Sequence, residues 1–124
     1  MIENLGQVAL TVRDMTRSLA FYRETLELPF LFSPAPTLAL LTIGDVRLML
    51  SEPEGDFTPG GSTVLYLRVR DIDAEHAALR ARGVDFIDTP HLIARLSNHE
   101  LWMSFFHDPD GHTLALMSER PLAA

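Results

Sequence analysis

Hydrophobic and polar positions alternate over Gln7–Asp14, where Val8, Leu10 and Val12 interleave with Gln7, Ala9 and Thr11. That is the period-two pattern of a strand with one face on a core. The period then changes. Asp14 offers a helix N-cap, and Met15, Leu19, Tyr22 and Leu26 recur on one helical stripe before Pro29, predicting an amphipathic helix that the proline stops. Leu38–Ile43 and Val46–Leu50 are apolar runs joined by Gly44-Asp45, the signature of a hairpin. Pro53 to Ser62 holds two prolines and three glycines and reads as a linker.

Beyond the linker the same pattern returns. Val64–Asp71 lies on Gln7–Asp14 at an offset of 71 − 14 = 57, and Ile72, His76 and Leu79 take the places of Met15, Leu19 and Tyr22. A second helix is expected to about Arg82, closed by Gly83. His76 falls on its packed stripe, where a hydrogen-bonded structural histidine is the natural reading. Val84–Ile87 predicts a short strand. Leu101–Phe106 and Thr113–Met117 predict a hairpin around Asp108-Pro109-Asp110-Gly111, whose residues suit a type I turn. Laying Leu48-Met49-Leu50 on Leu114-Ala115-Leu116 gives 114 − 48 = 66, so the second half is longer by 66 − 57 = 9 residues. These are expected in a loop within Thr89–Glu100 that holds His91, Arg95 and His99.

A chain of 124 residues suits one domain, 1–124, with a first module over about 1–53, a linker over about 54–62 and a second module over about 63–121. Apolar residues at 47% and charged residues at 22% are ordinary for a globular protein. A net charge of −7 without a Lys/Arg stripe disfavours nucleic acid as a partner. The absence of cysteine excludes disulfides, thiolate nucleophiles and Cys-based zinc sites. The start of the chain has no basic-then-apolar leader pattern, and no apolar run is long enough to cross a bilayer. A cytoplasmic protein without membrane partners is the expectation.

Three stretches carry a family resemblance: Gln7–Asp14 followed by Ser18-Leu19-Ala20-Phe21-Tyr22, Val69-Arg70-Asp71-Ile72-Asp73-Ala74, and Phe105-Phe106-His107-Asp108-Pro109-Asp110-Gly111-His112. In this order and spacing the chain resembles the vicinal oxygen chelate superfamily of glyoxalase I, extradiol dioxygenases and bleomycin-resistance proteins. The resemblance implies an α+β fold in which two βαβββ modules form a curved mixed sheet around a concave cavity. It also implies a homodimer.

In the metal-dependent members, one residue from each opening strand and one from each closing strand hold a divalent ion. The matching positions here are Gln7, Met49, Val64 and Ala115. One amide oxygen and one thioether, with two aliphatic side chains, are a poor donor set for a hard cation. The usual metal site is therefore expected to be absent, with no cofactor. A displaced site would have to draw on His91, His99, His107, His112, Glu100 and Glu119, which lack a tight ligand spacing.

By parity Gln7, Ala9, Thr11, Arg47, Met49, Val64, Tyr66, Arg68, Thr113, Ala115 and Met117 share the cavity side. Candidate ligand-binding residues are Gln7, Arg47, Met49, Val64, Tyr66, Arg68, Trp102 and Ala115. Gln7 and Tyr66 would orient a ligand by hydrogen bonds or serve simply as wall. Arg47 and Arg68, if turned inward, call for a carboxylate from the protein or from a ligand; the alternative is exposure at strand ends. Trp102 would stack on a ligand or fill a dimer seam. His91, His99 and Tyr66 are the candidates for proton transfer, against structural or solvated roles. The leading reading is a protein of this type that binds a small organic molecule without the usual metal. The alternatives are an enzyme of lyase, isomerase or dioxygenase type, metal-free or with displaced ligands, and an interaction module with a vestigial cavity.

Overall fold

The computed structural model describes residues 1–57 and 62–122. Residues 58–61 of the expected linker lie outside the described residues. The chain divides into two compact units, Met1–Pro59 and Gly60–Ala124.

In the first unit β1 (Gln7–Thr11) leads into α1 (Met15–Ala20), which runs on as a π-helical turn over Phe21–Thr25. Then come β2 (Phe30–Ala35), β3 (Leu38–Ile43) and β4 (Val46–Ser51), in the sheet order β1-β4-β3-β2. The second unit has β5 (Val64–Arg68), α2 (Ile72–Ala81), β6 (Asp85–Phe86), β7 (His91–Arg95), β8 (His99–His107) and β9 (Thr113–Pro121). Its order is β5-β9-β8-β6, with β7 also paired to β8. Both sheets are mixed and few residues are helical, so the class is α+β.

The repeat read in the sequence is present bond by bond. β1 runs parallel to β4 with Gln7 opposite Arg47, and β5 runs parallel to β9 with Val64 opposite Thr113, which reproduces 64 − 7 = 57 and 113 − 47 = 66. The Val12 N–H donates to the Ser51 carbonyl at 2.9 Å, and the Val69 N–H donates to the Met117 carbonyl at 2.8 Å. Asp14 and Asp71 cap their helices alike, each carboxylate accepting from the N–H three residues on, at 3.2 and 3.1 Å. Two parallel strands cannot be joined by a tight turn; each helix carries the chain across its sheet to the far side, and the strands that follow lead back to the closing strand beside the opening one.

That crossover places one face of each sheet under a helix. In the first unit Val12, Met15, Tyr22, Leu41, Leu48 and Leu50 are buried; in the second, Ile72, Leu79, Phe106, Leu114 and Leu116. The stripe expected on α1 is corrected in one respect. Met15 and Tyr22 are buried, but the residue between them is Ser18, while Leu19 is half-buried and lines a groove of about 670 Å³ toward β2. The helix then widens, with the Leu26 N–H reaching the Phe21 carbonyl at 2.9 Å, and ends on Glu27 at φ 59°. On α2 the stripe is Ile72, His76 and Leu79, and Gly83, at φ 92°, ends the helix, with Gly83 N–H to Arg80 and Val84 N–H to Leu79 closing the last turn.

Two elements differ from the sequence expectation. β2, which the βαβββ resemblance implies, is invisible in the hydrophobic pattern, because Phe30–Ala35 contains Pro34 and its pairing with β3 shifts register twice, which destroys the alternation. The stretch Thr89–Glu100 is not a loop. His91–Arg95 pairs antiparallel with β8, and the Leu96 N–H donates to the His99 carbonyl at 2.8 Å to close a hairpin. A register shift between Leu92 and Ala94 hides that strand's period. The hairpin β8–β9 is also longer than expected.

His76 is packed with its ring 4.0 Å from Phe86 and its Nδ1 3.4 Å from Ser104 Oγ, while its Nε2 is buried without a hydrogen-bond partner. Burial, with the Arg80 guanidinium adding to it, holds its pKa below the usual 6.5, against the weaker opposite pull of Asp88 and Asp73. As pH falls through 6.5 the unfolded chain therefore takes up the proton first. The stability that neutral His76 provides is complete above that pH and is lost progressively below it. We predict that urea midpoints fall on acidification from pH 7.5 to 5.5, and that His76→Leu flattens this part of the profile. An unchanged slope in the variant would remove His76 as the cause.

Candidate functional site

The register sorts the side chains of each sheet into a helix-covered face and an open face. Across the open face of the first unit run the rows Gln7–Arg47–Thr42 and Ala9–Met49–Leu40–Phe32. Across that of the second run Val64–Thr113–His107–Asp85, Tyr66–Ala115–Phe105 and Arg68–Met117–Met103–His91.

The positions matching the family's metal ligands fall in adjacent rows. Gln7 and Met49 come together, with Gln7 Nε2 donating to Met49 Sδ at 3.8 Å. The amide oxygen of Gln7 is engaged elsewhere, accepting from Arg47 Nε at 2.7 Å. A guanidinium thus occupies the one hard donor of the set, and a divalent cation there would meet a positive charge. In the second unit Val64 and Ala115 offer no donor atom. Ala115 is completely buried at the centre of its row. Its methyl group leaves room for the rings of Tyr66 and Phe105, which flank it in register, to meet edge to face at 6.2 Å and 79°. A carboxylate at this position would stand between those rings. The residues present do not fit the metal. Among the described residues no three His, Cys, Asp or Glu side chains are grouped as a metal site.

The second unit's open face is instead aromatic and apolar, with polar groups at its margins. Tyr66 is 48% exposed. On the far side of Phe105 lies His91, its ring 6.4 Å away and tilted by 32°. Asp88 Oδ1 accepts the Phe105 N–H at 2.8 Å and so fixes the backbone beneath these rings. At the β9 end Glu119 receives two cationic or polar neighbours, Arg68 at 3.5 Å and His99 Nε2 at 3.4 Å, and His99 Nδ1 lies 2.6 Å from Asn98 Oδ1. The carboxylate that Arg68 calls for is therefore supplied by the protein, whereas Arg47 is hydrogen-bonded to an amide. His99 thus lies between two acceptor oxygens.

Trp102 is not with these residues. It points to the opposite face, because β8 alternates and Trp102 pairs with Ser118 and Leu92 rather than with Met117 and His91. There its indole N–H donates to Glu100 at 3.2 Å and its ring carries the Arg120 guanidinium at 4.4 Å, which also pairs with Asp73 of α2. Conversely, sequence reasoning passed over Phe105 and Met103. Reflection about the Asp108–Gly111 turn would have placed them, since a hairpin that pairs His107 with Thr113 also pairs Phe105 with Ala115. The grooves on other surfaces, the one along α1 and a smaller one of about 320 Å³ lined by Arg80, Phe86 and Asp88, do not include Tyr66 or Phe105.

Residues 4–116 match the model of the Glyoxalase/Bleomycin resistance protein/Dioxygenase superfamily. The chain belongs to this superfamily. Among solved structures of the superfamily's fold, a member from Sphaerobacter thermophilus is 26% identical with a TM-score of 0.78, over 95% of this chain and 98% of that one. A virulence protein from Salmonella typhimurium is 19% identical with a TM-score of 0.75, over 95% and 98%. The lactoylglutathione lyase of Agrobacterium tumefaciens is 16% identical with a TM-score of 0.73, over 95% of each chain. None of the curated proteins matches the sequence. The superfamily's fold thus carries, in this member, an alanine beneath an aromatic pair and an arginine on a glutamine. Among the described residues no helix is long and apolar enough to cross a membrane.

Trp102 ties β8, β9 and α2 together through an ion-pair and cation–π cluster. Arg120→Ala is expected to destabilise the second unit by about 1 kcal/mol. Denaturation followed by the fluorescence of this single tryptophan measures it, and an unchanged midpoint would show that the cluster contributes nothing.

Proposed function

We propose that this superfamily member binds a small organic molecule on the aromatic face of Tyr66, Phe105 and His91, without the metal ion of the family's metal-dependent enzymes. The observation that carries the reading is the Tyr66–Ala115–Phe105 row. Where a metal-binding member needs a ligand, this chain has a buried methyl group, and over it two rings whose faces and edges suit a planar apolar guest. Met103 and Met117 in the neighbouring row supply adaptable apolar walls. The rings, with Tyr66 half open to solvent, are a surface that a ligand would cover. A homodimer, acting in the cytoplasm, completes the proposal, in keeping with the family resemblance and with a chain free of cysteine.

A thermal-shift screen of small aromatic compounds is expected to find stabilising ligands, since specific binding to the native state raises apparent stability. Tyr66→Ala should weaken the best of them by about tenfold, or about 1.4 kcal/mol, while Trp102→Phe leaves affinity unchanged; the reverse order would move the site to the other face. Titration with Ni²⁺, Mn²⁺, Fe²⁺ and Zn²⁺ is expected to show no stoichiometric ion. One tightly held ion per chain, lost on substitution of Gln7, would overturn the metal-free reading.

A further inference from the structure

We propose that His91 is the polar anchor of this face and makes it selective for uncharged ring compounds that carry an N–H or O–H donor. The inference rests on the ligand face proposed above and adds the chemistry that the ligand must present.

His91 Nδ1 lies 2.8 Å from the backbone carbonyl of Thr89. A carbonyl oxygen can only accept, so in the neutral ring the proton sits on Nδ1 and the lone pair is left on Nε2. Asp88 Oδ2, 3.9 Å from the same Nδ1, reinforces that choice by placing negative charge on the protonated side. The other oxygen of Asp88 accepts the Phe105 N–H at 2.8 Å, so one carboxylate braces both the aromatic floor and the histidine beside it. The His91 side chain is 45% exposed, and among the described residues nothing bonds its Nε2. It is an oriented acceptor at the edge of an aromatic surface.

The other polar groups of this face differ in kind. Glu119 pairs with Arg68 at 3.5 Å, and His99 lies between Glu119 and the Asn98 amide oxygen. The guanidinium and the carboxylate at that end are thus paired with each other within the protein. A ligand that lays a ring on Phe105 and Tyr66 meets the lone pair of His91 Nε2, and a donor on that ring completes the bond. A ring without a donor would strip water from Nε2 and return nothing for it.

Indole and indene provide the test, because they share size and shape and differ in the N–H. Their affinities for the full chain are measured by ligand-observed NMR, together with a long-range ¹⁵N–¹H spectrum of the histidines. Wild type is expected to bind indole about tenfold more tightly than indene, the ratio to collapse toward one in His91→Phe, and the His91 Nε2 resonance to move on addition of indole. Equal binding of the two probes by wild type, an unchanged ratio in His91→Phe, or an unmoved Nε2 signal would each overturn the role of His91 while leaving the aromatic face in place. The NMR signal is read on wild type and stands even if the variant fails to fold. Binding of neither probe would instead sink the aromatic-face reading, and this inference with it.

Discussion

Each unit of this protein depends on the parallel pairing of its opening strand with its closing strand, β1 with β4 and β5 with β9. A parallel pair needs a crossover, and the crossover helix must bury one sheet face, so the pairing dictates both which residues form the core and which face remains open. Val12, Leu48 and Leu50 in one unit, and Leu114 and Leu116 in the other, are buried for this reason. The residues interleaved with them, from Gln7 to Met49 and from Tyr66 to Met117, are left for other work. A slip of one residue in either register would exchange the two sets.

The two open faces have diverged within this common frame. In the first unit Arg47 is tied to Gln7, so the open face carries a guanidinium on an amide. In the second, the smallest side chain of the row lets the two largest meet. Both outcomes follow from single side chains set into a backbone arrangement that similarity across most of each chain shows to be shared. Fold and chemistry are separable here because the hydrogen-bonded ladder fixes positions without regard to what those positions carry.

Much of this was legible in the sequence. The offsets of 57 and 66 reappear as strand registers, and the parity of Gln7, Arg47, Met49, Val64, Tyr66, Arg68 and Ala115 is their face in the sheet. What failed had local causes. Pro34 and two register shifts concealed β2, a bulge at Ile93 made β7 look like a loop, and a buried Ser18 displaced Leu19 from the expected stripe. Trp102, a candidate for stacking on a ligand or filling a dimer seam, lies on the face opposite Tyr66 and Phe105, as its pairing with Ser118 and Leu92 shows.

The sequence by itself determined the repeat, the class of fold and the poverty of metal donors at four matched positions, because periodicity and residue chemistry are properties of the chain read locally. Only the tertiary structure decided who meets whom: that Glu119 pairs with Arg68 beside His99, that Gln7 holds Arg47, that Phe105 completes the aromatic pair, and that Thr89 fixes the proton of His91. The physical reason is range. Alternation sets the direction of a side chain from its immediate neighbours, whereas its partners arrive from strands whose relative placement is fixed by pairing across tens of residues, and hydrogen bonds and ring contacts act only at the distances that this pairing creates.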